Sequence, residues 1–285
     1  MNKFLMTGAT GQVGAILKHY LLEGKNEVFE INRTSLNSNC FTYEDIFNNN
    51  VDNDLIRDCT FIHCASTIDF NVFNSEISYF NTYVTHKLLA SLKILGLKKI
   101  ILISSASLVG FSDKFISEDD IIKPNSVYHL TKFYQEKLIQ FFNFDFFYCL
   151  RISSPISPFG LKRGLFKEFC DKAIIGANLT IFGKGARIQN YVDIRDLSYV
   201  ICKISMNKFK SGIYNICAFE SYSNLELGRM IIESFDSKST ITFHGLDLEE
   251  NTKWNFDLKN AVLYLDYSQK ISIKQTILDY KYYNS

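Results

Sequence analysis

Thr7-Gly8-Ala9-Thr10-Gly11-Gln12-Val13-Gly14 decides how the rest of the chain is read. The octapeptide follows a short apolar run, Lys3 to Thr7, and opens a helical pattern from Gln12 to about Glu23. Its glycines fall in the spacing GxxGxxG, and each has a physical task. Gly8 permits the tight turn, Gly11 lets the backbone approach a pyrophosphate, and Gly14 lets the helix pack on the strand. The helix N-terminus presents free N–H groups and the positive end of its dipole, which suits an anion. The stretch therefore predicts a dinucleotide site built from Gly8, Thr10, Gly11, Gln12, Val13 and Gly14.

Outward from this turn, strand and helix alternate. Glu27 to Ile31, Thr60 to His63, Lys99 to Ser104 and Phe146 to Ile152 read as strands, each short, apolar and bounded by polar residues. Such runs suit strands buried on both faces. Helical patterns cover Ser75 to Leu95 and Val127 to Phe142. The alternation predicts an α/β, Rossmann-type doubly wound parallel sheet. After Ser153 the pattern loosens: Pro155, Pro158, Gly160 and Gly164 mark loops, then a helix is expected around Leu165 to Ile175 and a strand at Leu179 to Phe182. The expected division is a dinucleotide-binding domain over 1–154, with 183–212 returning to it, and a smaller substrate-binding lobe over 155–182 and 213–285.

Composition narrows the function. With 47 % hydrophobic residues in 285, a sizeable core can be buried, and 31 basic against 30 acidic residues argue against a nucleic-acid surface. Seven cysteines, an odd number with no CxxC pair, argue against a disulfide framework or a zinc site. No metal is expected, and a reducing cytoplasm is the natural setting. There is no room for a signal peptide before the glycine turn, and no apolar run approaches the roughly 18 residues of a membrane helix.

The end of the second strand discriminates between cofactors. An acidic residue there binds a ribose 2′-hydroxyl, whereas arginine suits a 2′-phosphate. Register puts Asn32 at the acidic position with Arg33 beside it, which favours NADP(H). Glu30 is the counter-argument, because a shifted register would make it the ribose ligand and favour NAD(H).

Chemistry is carried further along. Ser104-Ser105-Ala106-Ser107 ends the fourth strand, and Tyr128-His129-Leu130-Thr131-Lys132 opens a helix. Residues four apart share a helical face, so Tyr128 and Lys132 point into one site. A tyrosine ionises at about pH 10, and a neighbouring ammonium is expected to lower that value. The phenol can then exchange a proton with an alcohol or ketone while hydride moves to or from a nicotinamide. A serine hydroxyl can hold the reacting oxygen.

In this order the motifs resemble those of the extended short-chain dehydrogenase/reductases, specifically the NAD(P)-dependent epimerase/dehydratase group acting largely on nucleotide sugars. TGATGQVG matches TGxxGxxG, and His63-Cys64-Ala65-Ser66 matches the HxAA turn. Asn81 to Leu89 looks like the long central helix. Ile103 to Gly110 resembles SSxxxYG with Val109 for the usual tyrosine. Tyr128 and Lys132 match YxxxK, Leu150-Arg151 resembles the LR ending the sixth strand, and Tyr191 to Leu197 resembles YVxVxD. The resemblance implies Ser105, Tyr128 and Lys132 as catalytic residues, with Tyr128 and Lys132 also touching cofactor. It implies that Cys64, Ala65 and Ser66 pass their backbone close to the cofactor. Ser104, Ser107 and His63 are expected to make ordinary structural contacts.

Departures from the pattern bear on the substrate. Gln189 stands where many relatives carry a diphosphate-gripping arginine, and Arg187 is the nearest arginine. The late Arg-Pro-Gly-Asp segment is absent near Asn255 to Asn260, and Ser154 replaces a common asparagine. Ser105, Ser154 and Arg187 are the expected substrate contacts, with Lys162 and Arg163 as further positive charge. Ala106-Ser107 occupies the place of the Asp-Glu pair with which the family's 4,6-dehydratases eliminate water. What remains is an NADPH-dependent reductase of a (4-)keto nucleotide sugar or an epimerase holding NAD, with a non-catalytic dinucleotide-binding regulator as a third class. The resemblance also implies a homodimer across the helices Ser75–Leu95 and Val127–Phe142, with Tyr79, Tyr83, Phe133, Phe141 and Phe142 as candidate contacts.

Overall fold

A computed structural model describes residues 2–34, 39–68, 75–110, 114–160 and 164–284. Lys162 and Arg163 lie outside the described residues. The strands in chain order are β1 (Lys3–Thr7), β2 (Glu27–Asn32), β3 (Cys40–Thr42), β4 (Thr60–His63), β5 (Lys99–Ser105), β6 (Phe146–Ile152), β7 (Ser154–Ile156), β8 (Leu179–Phe182), β9 (Ile188–Asp193), β10 (Gly212–Ile216), β11 (Ser221–Ser223) and β12 (Ile241–His244). Seven of them form one sheet in the order β10-β6-β5-β4-β1-β2-β3, every neighbouring pair parallel. This is the expected α/β, Rossmann-type architecture. The order reverses between β1 and β4, and the crevice outside the carboxyl ends at such a switch point is where open α/β sheets bind ligands.

Side chains alternate across the sheet, so each strand feeds two cores. Phe4 and Met6 face one core with Leu17 and Leu21 of the helix Gln12–Glu23 and Leu197 and Ile201 of the helix Ile194–Met206. Leu5 faces the other with Leu88, Leu89 and Leu92 of the helix Thr85–Ile94 and Ile139 of the helix Val127–Phe142. Each such fully buried side chain contributes about 1.5–3 kcal/mol.

The returning segment differs from the expected 183–212. β9 pairs with β7 and β11 in a separate three-stranded sheet, whereas β10 pairs with β6 as the edge of the main sheet. The helix Lys259–Leu265 packs there too, through Ala261 and Leu265. Residues 213–216 fall in the expected lobe because the alternation is less regular there; their long-range pairing with β6 joins them to the main sheet instead. The smaller lobe has its own core, with Phe166, Phe169, Leu227, Ile231 and Ile277 at its centre.

The helix expected from Ser75 to Leu95 forms, but Tyr79–Val84 winds as a π-helix between Ser75–Ser78 and Thr85–Ile94. Such bulges free a carbonyl from the ladder. Here Gln135 Nε2 donates to the Asn81 carbonyl at 2.8 Å.

Candidate active site

The glycine turn sits at the end of β1, at the switch point. Gly8 has φ +70°, and a Cβ there would lie 2.6 Å from Ala65 N. A Cβ on Gly14 would lie 2.1 Å from Gly8 O, so the helix approaches the strand as closely as glycine permits. Gly11 caps the helix without a side-chain hydrogen bond, no acidic residue occupies the first turn, and Thr10, Gly11 and Gln12 are exposed. An accessible, uncapped N-terminus of this kind suits a pyrophosphate. Val13 is half-buried behind it and packs against the core. Across the crevice, Cys64 N donates to Thr7 O at 3.3 Å, and Ala65 N donates to Thr7 Oγ1 at 3.3 Å. Among the described residues Ser66 Oγ is buried with no hydrogen-bond partner. An orphaned hydroxyl beside a glycine cradle fits a bound dinucleotide that would complete it.

At the end of β2, Glu30 is buried and ion-paired with Lys18 of the first helix. The pairing of Thr7 with Ile31 puts Asn32 just beyond the strand partner of the glycine turn. Asn32 Nδ2 donates to Glu30 Oε2 at 3.2 Å, so Asn32 and Glu30 lie on the same side. Arg33 is exposed, with its guanidinium carbon 5.3 Å from the centroid of the Phe80 ring. The carboxylate that sequence register left open for a ribose is thus already engaged.

Ser105 ends β5, and Tyr128 and Lys132 lie on the helix Val127–Phe142. Ser126 caps that helix by accepting from His129 N at 3.2 Å. Lys132 is buried, and its Nζ donates to Ile103 O at 2.8 Å, two residues before Ser105 on the same strand. The ammonium lies 6.0 Å from the Tyr128 ring centroid. Burial lowers Lys132 from the usual lysine value to about 8 and pushes Tyr128 up to about 12. The expected lowering of Tyr128 by Lys132 is therefore not what this structure gives. The ammonium is held by the Ile103 carbonyl, and desolvation of the phenol dominates.

Several further polar groups hold these three in place. Asn81 Nδ2 donates to Thr67 O (2.9 Å) and Thr131 Oγ1 (3.1 Å), while its Oδ1 accepts from Thr67 N at 2.8 Å. It pins the loop after Ser66 to the helix that carries Lys132. Ser104 Oγ donates to Glu136 Oε1 at 2.6 Å, and Arg151 grips Glu136 through Nε at 2.9 Å and Nη2 at 2.8 Å. Glu136 lies four residues after Lys132 on a helix that also carries His129, Thr131, Gln135, Lys137 and Gln140, so its local sequence did not mark it as buried. His63 behaves as expected. It bonds Thr7 and Thr85 hydroxyls at 2.8 and 3.2 Å, and burial holds it neutral, lowered to about 3.

In the lobe, Ser154 lines a cleft of about 150 Å³ with Ser157, Leu165, Phe166, Gln189 and Tyr191. Among the described residues Tyr191 Oη is buried there without a partner, and it joins Ser154 as a group facing this cleft. Arg187 is differently placed from the free cation the sequence suggested. Asp247 and Glu249 bind its guanidinium, the latter at 2.9 Å, so its charge is already compensated. Among the described residues no helix is long and apolar enough to cross a membrane, and no cluster of metal-ligating side chains is found.

The profile of the NAD dependent epimerase/dehydratase family matches residues 4–217, and the chain belongs to that family and is an enzyme. It is 24 % identical over 268 residues to the dTDP-D-glucose 4,6-dehydratase of Dictyostelium discoideum, covering 81 % of this chain but 62 % of that protein. Among solved structures it resembles the UDP-glucose 4-epimerase of Thermotoga maritima with UDP-glucose, at a TM-score of 0.84 and 22 % identity over 99 % of this chain and 98 % of that one. It likewise resembles the UDP-glucuronic acid 4-epimerase of Bacillus cereus in complex with UDP-glucuronic acid and NAD, at a TM-score of 0.81 and 24 % identity over 98 % of each chain.

Proposed function

We propose that this family member exchanges hydride at an alcohol or keto carbon of a nucleotide-activated sugar, with Ser105, Tyr128 and Lys132 as the catalytic set. The observation that carries the reading is the anchoring of Lys132 Nζ on Ile103 O, which ties the Tyr128 helix to the strand ending in Ser105 beside the glycine cradle. In reduction the Tyr128 Oη proton passes to the sugar oxygen as hydride reaches the carbon; in oxidation both move in reverse. A bound nicotinamide supplies or takes up the hydride. Lys132 brings a positive charge to 6.0 Å from the Tyr128 ring centroid, which would offset part of the cost of a buried phenolate as it forms, and Ser105 Oγ holds the reacting oxygen. Gly8, Thr10, Gly11, Gln12, Val13 and Gly14 would hold the pyrophosphate, and Cys64, Ala65 and Ser66 would line the opposite wall. The cleft at Ser154, Gln189 and Tyr191 would receive the nucleotide. The UDP-sugars of the similar epimerase structures support that substrate class.

Ala106-Ser107 after Ser105 supplies no carboxyl pair, which speaks against elimination of water. Between the remaining outcomes, Glu30 is occupied by Lys18, and Asn32 with exposed Arg33 offers a 2′-phosphate a cation. These residues favour NADPH and hence reduction, 4-keto nucleotide sugars being the leading substrates. The second reading, an epimerase retaining NAD, is favoured by the NAD-bound epimerase of the same fold.

The test is a panel of 4-keto nucleotide sugars with NADPH or NADH, followed by loss of reduced-cofactor absorbance. Net NADPH consumption is expected. NAD released from the purified enzyme by acid, with UDP-sugar interconversion and no net consumption, would instead establish the epimerase. Tyr128→Phe should lose about 100-fold or more of turnover while cofactor affinity stays nearly unchanged; near-normal turnover would end the mechanism.

A further inference from the structure

His129 follows Tyr128 directly, and it is buried rather than turned to solvent. Its Nδ1 lies 2.6 Å from Asn125 Oδ1, its Nε2 lies 2.7 Å from Ser107 Oγ, and Ser107 Oγ lies 2.7 Å from Ser105 Oγ. Four side chains thus make an unbroken hydrogen-bonded chain from exposed Asn125 to the serine at the reacting oxygen.

The chemistry of its ends sets the direction of this chain. An amide oxygen only accepts, so the imidazole proton lies on Nδ1 and Nε2 carries a lone pair. Ser107 must then donate to Nε2. Having spent its one proton, Ser107 can only accept from Ser105. Ser105 is left with lone pairs, and it can receive a hydrogen bond from an alcohol. If the Asn125 amide turns to present Nδ2, the proton moves to Nε2 and every bond reverses. Ser105 then has its proton free for a keto oxygen. Burial holds His129 below its ordinary range, which keeps the ring neutral with one proton to place.

We propose that His129 is a positioning residue that, through Ser107, sets whether Ser105 receives or donates the hydrogen bond at the reacting oxygen, its two neutral tautomers matching the alcohol and keto forms of the substrate. The proposal rests on the reading of Ser105, Tyr128 and Lys132 as the reaction centre. The reversal leaves the net proton count unchanged. Nδ1 releases its proton to water at the exposed Asn125 end, Nε2 takes the Ser107 hydroxyl proton, Ser107 takes that of Ser105, and Ser105 takes one from water in the open site, so one proton leaves and one enters.

Nitrogen-15 NMR of the full-length protein tests the chain without any substrate. The wild type should show a neutral His129 ring with its proton on one nitrogen, and Ser107→Ala should shift that preference. A doubly protonated ring at neutral pH, or an unchanged tautomer in Ser107→Ala, would overturn the proposal. Turnover with UDP-glucose and NAD, and with a UDP-4-keto sugar and NADPH, gives the second readout. Ser107→Ala and His129→Gln should each lower kcat about 10-fold, the size of one lost hydrogen bond, with KM nearly unchanged. Ser107→Thr should restore the rate, and the double variant should be no worse than either single. Wild-type kcat in both singles, or losses that multiply, would refute the coupling. Tyr128→Phe run in parallel separates the two levels: an active Tyr128→Phe sinks the reaction centre, whereas an inactive one beside unaffected Ser107→Ala sinks only the relay.

Discussion

Glu136→Ala should destabilise the fold by about 3–5 kcal/mol, because it breaks a buried ion pair by removing one partner. The Glu136 side chain is 0 % exposed and that of Arg151 is 2 % exposed. The carboxylate accepts from Ser104 Oγ at 2.6 Å and from Arg151 Nε and Nη2 at 2.9 and 2.8 Å. Without it, among the described residues the guanidinium keeps only the Glu118 carbonyl, 3.2 Å from Nη1, and the Ser104 hydroxyl is stranded. Glu136→Gln keeps the shape and one acceptor, so its cost should be smaller, about 1–3 kcal/mol. Replacing both partners by methionine should recover much of the loss, since the unpaired charge rather than the lost attraction carries the penalty. Urea titration followed by circular dichroism would measure each variant, and the thermal midpoint of Glu136→Ala should fall by about 6–15 °C. A loss under about 1 kcal/mol, the behaviour of a surface pair, would refute the reasoning. The substitution should also depress turnover in the folded fraction, because Glu136 anchors the helix bearing Tyr128 and Lys132 to β5 and β6.

Arg33→Ala should erase a preference for NADPH over NADH of about 1–3 kcal/mol, roughly 5–150-fold, while leaving NADH binding almost untouched; calorimetric titration that finds equal affinities in the wild type would show that Arg33 does not select the cofactor. Lys132 is lowered to about 8, so turnover that needs its ammonium should decline as pH rises through about 8, and a rate unchanged up to pH 10 would contradict its role. In the apoprotein the sign for stability is opposite: between about 8 and the ordinary lysine value the unfolded chain binds the proton the folded one has lost, so this group's contribution rises with pH. Tyr79, Tyr83 and Phe141 are exposed on the two adjacent helices, and light scattering at micromolar protein should give a dimer mass that Phe141→Glu reduces to a monomer; a monomeric wild type would discount that face as an interface.

The parts of the site legible in the residues are those whose geometry is local. GxxGxxG works within one strand, turn and helix, and Tyr128 and Lys132 meet because a helix brings residues four apart onto one face. Arg187 was legible only as a charge. Asp247 and Glu249, which neutralise it, come from a segment some sixty residues away. The fate of Glu30 was similarly open until the first helix packed on β2 and brought Lys18 to it.

By itself the sequence determined the doubly wound sheet, the glycine cradle and the Tyr128–Lys132 face, because hydrophobic period and turn chemistry act over a few residues. Tertiary structure alone decided that β10 completes the main sheet, that Glu136 is buried against Arg151, and that Ser105 is wired through Ser107 to His129. Each of these joins residues far apart in the chain. A hydrogen bond between such groups depends on how strands register and helices dock, which no spacing along one segment encodes.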